Sequence, residues 1–213
     1  MSKRSKYFII FVIIFGIVYS IIHWGSRFGN PTTNQTFHQG PIIPARDISS
    51  FHLTDHLGQP FGLERLKGAW SMIFIGYTMC PDVCPMSLGY MSESLEKMEK
   101  EPQGLQGFRG IFVSVDVKRD TPDKLKDYVG YFHPSFVGLT GTKDEIDNFI
   151  RQLGAAYIIH SPQDPKDPET YHVTHSSSIY FVSPDGRLID MVIEPKNADE
   201  IVQKSRALRG GRG

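Results

Sequence analysis

The chain has 213 residues, a length that allows one domain with an appendage or two small domains. It carries 23 Lys and Arg residues against 23 Asp and Glu residues, so its formal net charge is zero, which argues against a protein that coats nucleic acid. Two cysteines exclude both a disulfide-dense miniprotein and a four-cysteine zinc site. The 40% share of apolar residues is sufficient for a packed core.

Residues 7–24, YFIIFVIIFGIVYSIIHW, form an apolar segment without Asp, Glu, Lys or Arg. As a helix, a segment of this length extends roughly 27 Å, close to the ~30 Å hydrocarbon core of a membrane. Signal-peptide cleavage needs small residues, but the first alanine is Ala45; a lipoprotein signal needs a cysteine, but the first is Cys80. We therefore predict an uncleaved transmembrane anchor rather than a cleaved signal peptide.

Three basic residues, Lys3, Arg4 and Lys6, precede the predicted anchor. Positive charge beside a span stays in the cytoplasm, so residues 1–6 are predicted to be cytoplasmic and the chain after the anchor to lie outside. The sequence has no Arg- and Ser-rich transit peptide, which favours a bacterial protein. The expected location is the inner membrane, with one span and the folded part facing the periplasm, or the intermembrane space if the protein is organellar.

Composition divides the rest of the chain into three parts. Residues 25–45 contain three Gly and three Pro without apolar periodicity, a pattern typical of a tether. Residues 46–208 carry the periodic apolar segments and are predicted to form the folded domain. Residues 209–213, RGGRG, are expected to form a solvated tail.

From residue 46 onwards, segments with strand and helix patterns alternate. Residues 70–76, WSMIFIG, are continuously apolar, which is typical of a strand buried on both faces. A Ser-Pro-Asp-Gly turn at 183–186 joins two later strands into a hairpin. The predicted strands are 70–76, 111–115, 136–139, 179–182 and 188–193, and the predicted helices are 83–99, one starting at 121–122, one capped at 142 and ending at 153, and 197–208.

This order of elements predicts an α/β, thioredoxin-like fold in which helices flank a central mixed sheet. A β-α-β half is followed by a β-β-α half, so the sheet is expected to be parallel in the middle and antiparallel at the edge formed by the hairpin. The Pro- and Asp-rich residues 161–170 are expected to form an exposed loop inserted before the hairpin.

Two cysteines, Cys80 and Cys84, follow the first buried strand in GYTMCPDVCP. Open parallel sheets place their sites at the carboxyl ends of strands, and a helix N-terminus favours the thiolate. Two inert buried cysteines are the structural alternative. A redox pair is the stronger competitor, since Cα atoms four apart in a helix are roughly 6 Å apart and can carry a disulfide, although thioredoxin-type oxidoreductases use two intervening residues.

Among the eight histidines, His175 is the best candidate for a third ligand. It precedes the strand predicted at 179–182. If that strand runs antiparallel to 70–76, its start lies at the sheet edge where the cysteines follow, so the topology brings His175 toward Cys80. The same argument makes His172 a weaker candidate ligand, because it lies three residues earlier and is expected to be further from Cys80.

Two thiolates and an imidazole suit a soft metal ion. Thiolates select Cu(I) or Zn(II), and imidazole accepts both metals. Structural zinc normally has four protein ligands and only three are found, which favours copper without excluding zinc. Asp116, at the end of the second central strand, is predicted to orient a ligand or the cysteine loop, and Asp82, between the cysteines, is also assigned a supporting role. Capping of the following helix is the expectation for Asp120.

Four motifs, in this order and spacing, carry a resemblance to a known family: GYTMCPDVCP, FVSVDVKRDTPDKLKDYV, GLTGT and YHVTHSSSIYFVSPDGR. Together they resemble the Sco/SenC copper-binding proteins over residues 47–208. The resemblance implies a membrane-tethered thioredoxin-like protein that binds copper, as Cu(I), Cu(II) or both, through two cysteines and a histidine. It further implies a role in assembling the dinuclear copper centre of cytochrome c oxidase subunit II. The ligands of the family fall on Cys80, Cys84 and His175.

Two neighbours of the ligands depart from the family pattern, which often has His at Met79 and Asp at Thr174. Because neither residue is a ligand, these departures are expected to affect the redox potential of the site and its contacts with partners, and not copper binding itself.

The expected function is copper delivery to the oxidase subunit, or reduction of its cysteines, without enzymatic turnover. Other periplasmic copper carriers and thioredoxin-like reductants are further expected partners. A thiol–disulfide oxidoreductase is the alternative, with a peroxidase disfavoured because Tyr77 stands where a peroxidatic site has Thr. A redox or copper sensor is the third functional hypothesis.

Overall fold

The computed structural model describes residues 43–101 and 107–210, together with Phe15, Gly16 and Tyr19, which are helical. The chain divides into two units, residues 1–37 and 38–213. Apart from the three helical residues, the predicted anchor lies outside the described residues, as do residues 1–6 and most of the predicted tether. Within the described ranges, no helix is both long and apolar enough to cross a membrane.

The second unit is built on an eight-stranded mixed sheet and a two-stranded sheet. The strands are β1 (Arg46–Asp47), β2 (His52–Asp55), β3 (Pro60–Gly62), β4 (Trp70–Gly76), β5 (Phe108–Ser114), β6 (Val137–Thr140), β7 (Tyr157–Ile159), β8 (Val173–His175), β9 (Ile179–Val182) and β10 (Arg187–Val192). The large sheet has the strand order β1-β10-β9-β4-β5-β6-β2-β3, and β7 pairs with β8 in the small one. The helices are α1 (Leu63–Leu66), α2 (Val83–Glu99), α3 (Pro122–Phe132), α4 (Lys143–Leu153) and α5 (Ala198–Gly210). The predicted α/β fold with a central mixed sheet is confirmed.

The centre of the sheet is parallel because α2 and α3 return the chain between neighbouring strands. β4 pairs in parallel with β5, with Phe74 opposite Phe112, and every residue of β4 is buried. β9 runs antiparallel to β4, with Phe74 opposite Ile179. The start of β9 therefore lies beside the end of β4, as the sequence predicted. We call this part of the molecule the site edge: the carboxyl ends of β4 and β5 with the start of β9.

The helices begin and end where local sequence signals place them. Thr121 caps α3 by accepting a hydrogen bond from the Lys124 amide, and a proline follows the cap. Thr142 caps α4 by accepting from the Glu145 amide, and Gly154, with φ 71°, ends that helix in the left-handed conformation.

Several short elements were not predicted. β1, β2, β3, α1, β7 and β8 contain two to four residues each. As a result the large sheet is antiparallel on both sides of its parallel centre, because β2 pairs antiparallel with β6 as well as with β3. β5 begins at Phe108, three residues before the predicted start. Residues 161–170 form the predicted loop before the hairpin; all but the last are exposed.

Candidate metal centre

The two cysteines lie where the chain leaves β4 and enters α2. Cys80 is half-buried in the connecting loop, and its amide donates to the carbonyl oxygen of Tyr77. Cys84 is completely buried in the first turn of α2. Gly76, at the end of β4, leaves room for the Cys84 sulfur, because a Cβ atom added there would lie 2.5 Å from Sγ. The end of β4 therefore packs directly against the Cys84 sulfur.

His175, the last residue of β8, reaches the same point from the other side. Its Nε2 atom lies 3.2 Å from the Cys84 Sγ. Its Nδ1 atom lies 3.1 Å from the carbonyl oxygen of Ser176, which can only accept, so Nδ1 carries a proton and Nε2 is the ring nitrogen that faces the sulfur. Phe74 and Tyr77 meet the ring edge-on, with centroids at 5.8 Å and 6.1 Å, and fix its plane.

One ligand atom from each of Cys80, Cys84 and His175 lies within 4.8 Å of the other two. The structure therefore brings together the three residues that the sequence selected. Two sulfurs and an imidazole nitrogen form a donor set that fits copper or zinc and does not suit magnesium or calcium, which prefer oxygen.

The two thiols differ strongly in acidity. The hydrogen bond from Cys84 is the main reason that the pKa of Cys80 falls to about 3; burial opposes the fall, and a hydrogen bond from His175 supports it. The hydrogen bond to Cys80, followed by burial, raises the pKa of Cys84. The pair therefore shares one proton and holds a thiolate at Cys80. A metal ion held by both sulfurs would take the place of the remaining proton.

Asp120 fixes the start of the cysteine loop. Its carboxylate accepts hydrogen bonds from the Thr78 amide at 2.9 Å and the Thr78 hydroxyl at 2.6 Å, and from the Ser114 hydroxyl at 2.6 Å. The expectation that Asp120 caps α3 is wrong, because Thr121 occupies that position. The role of Asp120 was missed; the sequence signal for it is an aspartate in the turn after a strand that ends at the site edge, followed by a threonine that can cap the helix itself.

The two other predicted supporting residues lie in different surroundings. Asp116 is completely buried, forms an ion pair with Arg119, and accepts a hydrogen bond from the Tyr171 hydroxyl at 2.6 Å. Asp82 is exposed and precedes α2 without a side-chain capping bond. Their roles toward the metal stay predictions.

The other described histidines lie apart from this centre. His172 stacks on His160 with ring centroids 4.3 Å apart, and the His160 Nε2 lies 2.9 Å from the Thr174 hydroxyl. His56 lies in the turn between β2 and β3, where its Nδ1 accepts from the Gly138 amide. Met79, beside Cys80, is 58% exposed. The two positions that depart from the family pattern, Met79 and Thr174, thus lie near the centre without joining it.

The family model for SCO1/SenC matches residues 42–209. The chain belongs to the SCO1/SenC family. The mitochondrial protein SCO2 of Saccharomyces cerevisiae is 36% identical over 150 residues, which are 70% of this chain and 48% of that protein. The mitochondrial SCO1 homologue of Homo sapiens is 36% identical over 152 residues, which are 71% of this chain and 49% of that protein. The chain thus spans about half the length of these SCO relatives.

Solved SCO1/SenC structures share the fold. The copper-bound ScoI of Bradyrhizobium japonicum is 34% identical, with a TM-score of 0.65 over 76% of this chain and 98% of that one. The copper-bound ScoI of Arabidopsis thaliana is 27% identical, with a TM-score of 0.69 over the same shares. BsSco, a Sco-family cytochrome c oxidase assembly protein with an identified disulfide switch, is 26% identical, with a TM-score of 0.59 over 78% and 94% of the two chains.

Proposed function

We propose that this protein binds copper through Cys80, Cys84 and His175. The observation that carries the proposal is the convergence of the two sulfurs and the imidazole nitrogen within 4.8 Å at the site edge. The free site supports it, because one sulfur is held as a thiolate and the imidazole Nε2 lies 3.2 Å from the other. Two solved relatives with copper bound share the fold.

We further propose that the bound copper is cargo in the assembly of cytochrome c oxidase, with the dinuclear copper site of subunit II as recipient. Cys80 is half-buried, so a recipient thiolate can approach the copper from solvent while Cys84 and His175 still hold it. Ligand exchange at an accessible soft site allows transfer without unfolding the donor. Periplasmic copper carriers that load the site are proposed as additional partners.

Thiol–disulfide exchange is the second candidate function. The observation in its favour is the pair of free thiols, one of which is held as a thiolate and is accessible. In this function Cys80 attacks a recipient disulfide and Cys84 then displaces the reduced recipient, leaving a Cys80–Cys84 disulfide. Thioredoxin-like reductants are the proposed source of electrons for the next cycle.

For the location, we propose a single inner-membrane anchor at residues 7–24 with the folded unit in the periplasm. The support is the uncharged apolar segment and the three basic residues that precede it.

Copper titration of the reduced protein tests the binding site. We expect one copper per chain, and strongly weakened binding after Cys80→Ser, Cys84→Ser or His175→Ala, because each removes a donor. His172→Ala is the matched control, since this histidine is three residues away and stacks on His160. Unchanged affinity in the His175→Ala protein would remove His175 from the site.

Mixing experiments separate delivery from reduction. The copper-loaded protein is mixed with the reduced copper-site domain of an oxidase subunit II, and mass spectrometry counts the copper on each partner. Copper delivery predicts that the metal moves to the recipient. If no copper moves, but the reduced copper-free protein rapidly reduces the disulfide of the recipient, thiol–disulfide exchange is the function.

A further inference from the structure

The connection between β5 and α3 contacts both segments that carry the donors of the metal centre. We call residues 116–120 the anchor turn. It contains two completely buried carboxylates, Asp116 and Asp120, and one arginine, Arg119, whose side chain is only 8% exposed. Charged side chains are rarely buried without a specific partner, so the contacts of this turn identify what it holds.

On the cysteine side, the anchor turn holds Thr78. The carboxylate of Asp120 accepts from both the amide and the hydroxyl of Thr78, which lies two residues before Cys80. Hydrogen bonds to a buried carboxylate are short and strong, so the start of the cysteine loop has little freedom.

On the histidine side, the anchor turn holds the end of the exposed loop at 161–170. The Arg119 Nη1 donates to the carbonyl oxygens of Glu169 at 2.7 Å and Tyr171 at 3.0 Å. The guanidinium carbon lies 3.6 Å from the centroid of the Tyr171 ring, and the Tyr171 hydroxyl donates to Asp116. Tyr171 is two residues before β8, which ends at His175.

The Arg119 side chain holds this segment by binding the segment's backbone carbonyl oxygens. If the segment moved away, a buried guanidinium would lose two carbonyl acceptors and the aromatic face of Tyr171, and it would keep its ion pair with Asp116 and its more distant contact with the Tyr77 ring. Leaving a buried charged group without its partners is costly, so the docked position is favoured even though the preceding loop is exposed.

We propose that Arg119 is a positioning residue that holds His175 at the distance from the two sulfurs that copper binding requires. It acts by docking the backbone of Glu169 and Tyr171 on the anchor turn, in which the neighbouring residue, Asp120, fixes the cysteine loop. One rigid turn thereby sets the separation of two segments that are about ninety residues apart in the chain. This inference rests on the proposed copper binding, and preorganisation is its physical basis.

The test uses the Arg119→Met protein, which keeps a long apolar side chain and loses the hydrogen bonds. We expect copper affinity to fall by about 10–100-fold, the usual effect of removing a group that orients a metal ligand. Lys126→Met is the matched control, because Lys126 is an exposed residue of α3 and its replacement makes the same change in charge. Its copper affinity should equal that of the unaltered protein.

A double-mutant cycle with His175→Ala distinguishes positioning from general destabilisation. If Arg119 acts through His175, Arg119→Met should have no further effect on copper affinity once His175 is absent. An equal loss in both backgrounds, or no loss in the unaltered background, overturns the proposal. If Arg119→Met does not fold, Tyr171→Phe removes the bond to Asp116 alone and should give a smaller loss that also disappears in the His175→Ala background.

Amide hydrogen exchange in the copper-free protein tests the docking independently of copper. Arg119→Met should accelerate exchange in Val173–His175 and leave α5 unchanged. Unchanged exchange in Val173–His175 would overturn the docking role. If the unaltered protein binds no copper, the proposed function fails, whereas accelerated exchange would still show that Arg119 holds this segment.

Discussion

At the scale of single residues, the metal centre depends on the absence of a side chain at Gly76. A Cβ atom at this position would lie 2.5 Å from the Cys84 sulfur and 2.9 Å from Cε2 of Phe112. Both neighbours are completely buried, so neither has free space to move into. The glycine thus allows the end of β4 to pass directly beneath the sulfur.

Gly76→Ala should therefore damage stability and copper binding together. Overpacking of a tight core costs about 1–3 kcal/mol in the free energy of unfolding, and displacement of the Cys84 sulfur should weaken copper binding. Gly89→Ala is the control, because a Cβ atom there meets nothing within 4 Å in the middle of α2 and should stabilise the protein by about 0.5–1 kcal/mol. Denaturant unfolding and copper titration measure both effects; an alanine at 76 that leaves both unchanged would disprove the packing argument.

At the scale of elements, the edge strand β3 is joined to its neighbour β2 by a turn that depends on Asp55. One carboxylate oxygen accepts from the Leu57 and Gln59 amides at 2.9 Å and 2.8 Å, and the other pairs with Arg65 at 2.7 Å. Burial raises the pKa of Asp55, but the hydrogen bonds from Gln59, Arg65 and Leu57 outweigh it, so the pKa is lowered overall. The charged form is therefore the one that stabilises this turn.

Asp55→Asn should lower the free energy of unfolding at pH 7 by about 1–2 kcal/mol, because the amide keeps an acceptor for the turn and loses the charged partner of Arg65. A carboxyl group whose pKa is lowered by folding stabilises the protein above its unfolded value, here 3.8, and this contribution is lost as the pH falls through the folded pKa. The difference in the free energy of unfolding between the unaltered protein and Asp55→Asn should thus shrink below pH 3.8.

Asp47→Asn is the control, because Asp47 forms an exposed ion pair with Arg187 and its replacement should change the free energy of unfolding little. If Asp55→Asn lowers the free energy of unfolding equally at pH 7 and below pH 3.8, the charge of Asp55 is not what stabilises the turn.

Elements with a strong local pattern were predictable, and elements defined by their partners were not. β4 and α2 have the predicted bounds, since a continuous apolar run and a helical stripe do not depend on distant residues. β7 and β8 have three residues each and exist because they pair with each other. The position of His175 was predictable because topology alone brings it to the site edge. The contacts of Arg119 were not, because they join residues fifty positions apart.

At the scale of the whole molecule, delivery requires that the metal centre and its recipient share a compartment. The asymmetric charge around residues 7–24 predicts that everything after this segment lies outside the cytoplasm. An alkaline phosphatase fused after Ala45 should therefore be active, because this reporter works only outside. An inactive phosphatase fusion, together with an active cytoplasmic reporter at the same junction, would reverse the predicted orientation.

In the proposed metal centre, two sulfurs and one imidazole hold a single copper ion. X-ray absorption at the copper edge tests it most directly, because the spectrum of the reduced, stoichiometrically loaded protein reports the atoms bound to the metal. We expect two sulfur neighbours and one imidazole nitrogen, and in the His175→Ala protein the loss of the imidazole signal with both sulfurs retained. Copper with fewer than two sulfur neighbours, or an imidazole signal that persists without His175, would contradict the account.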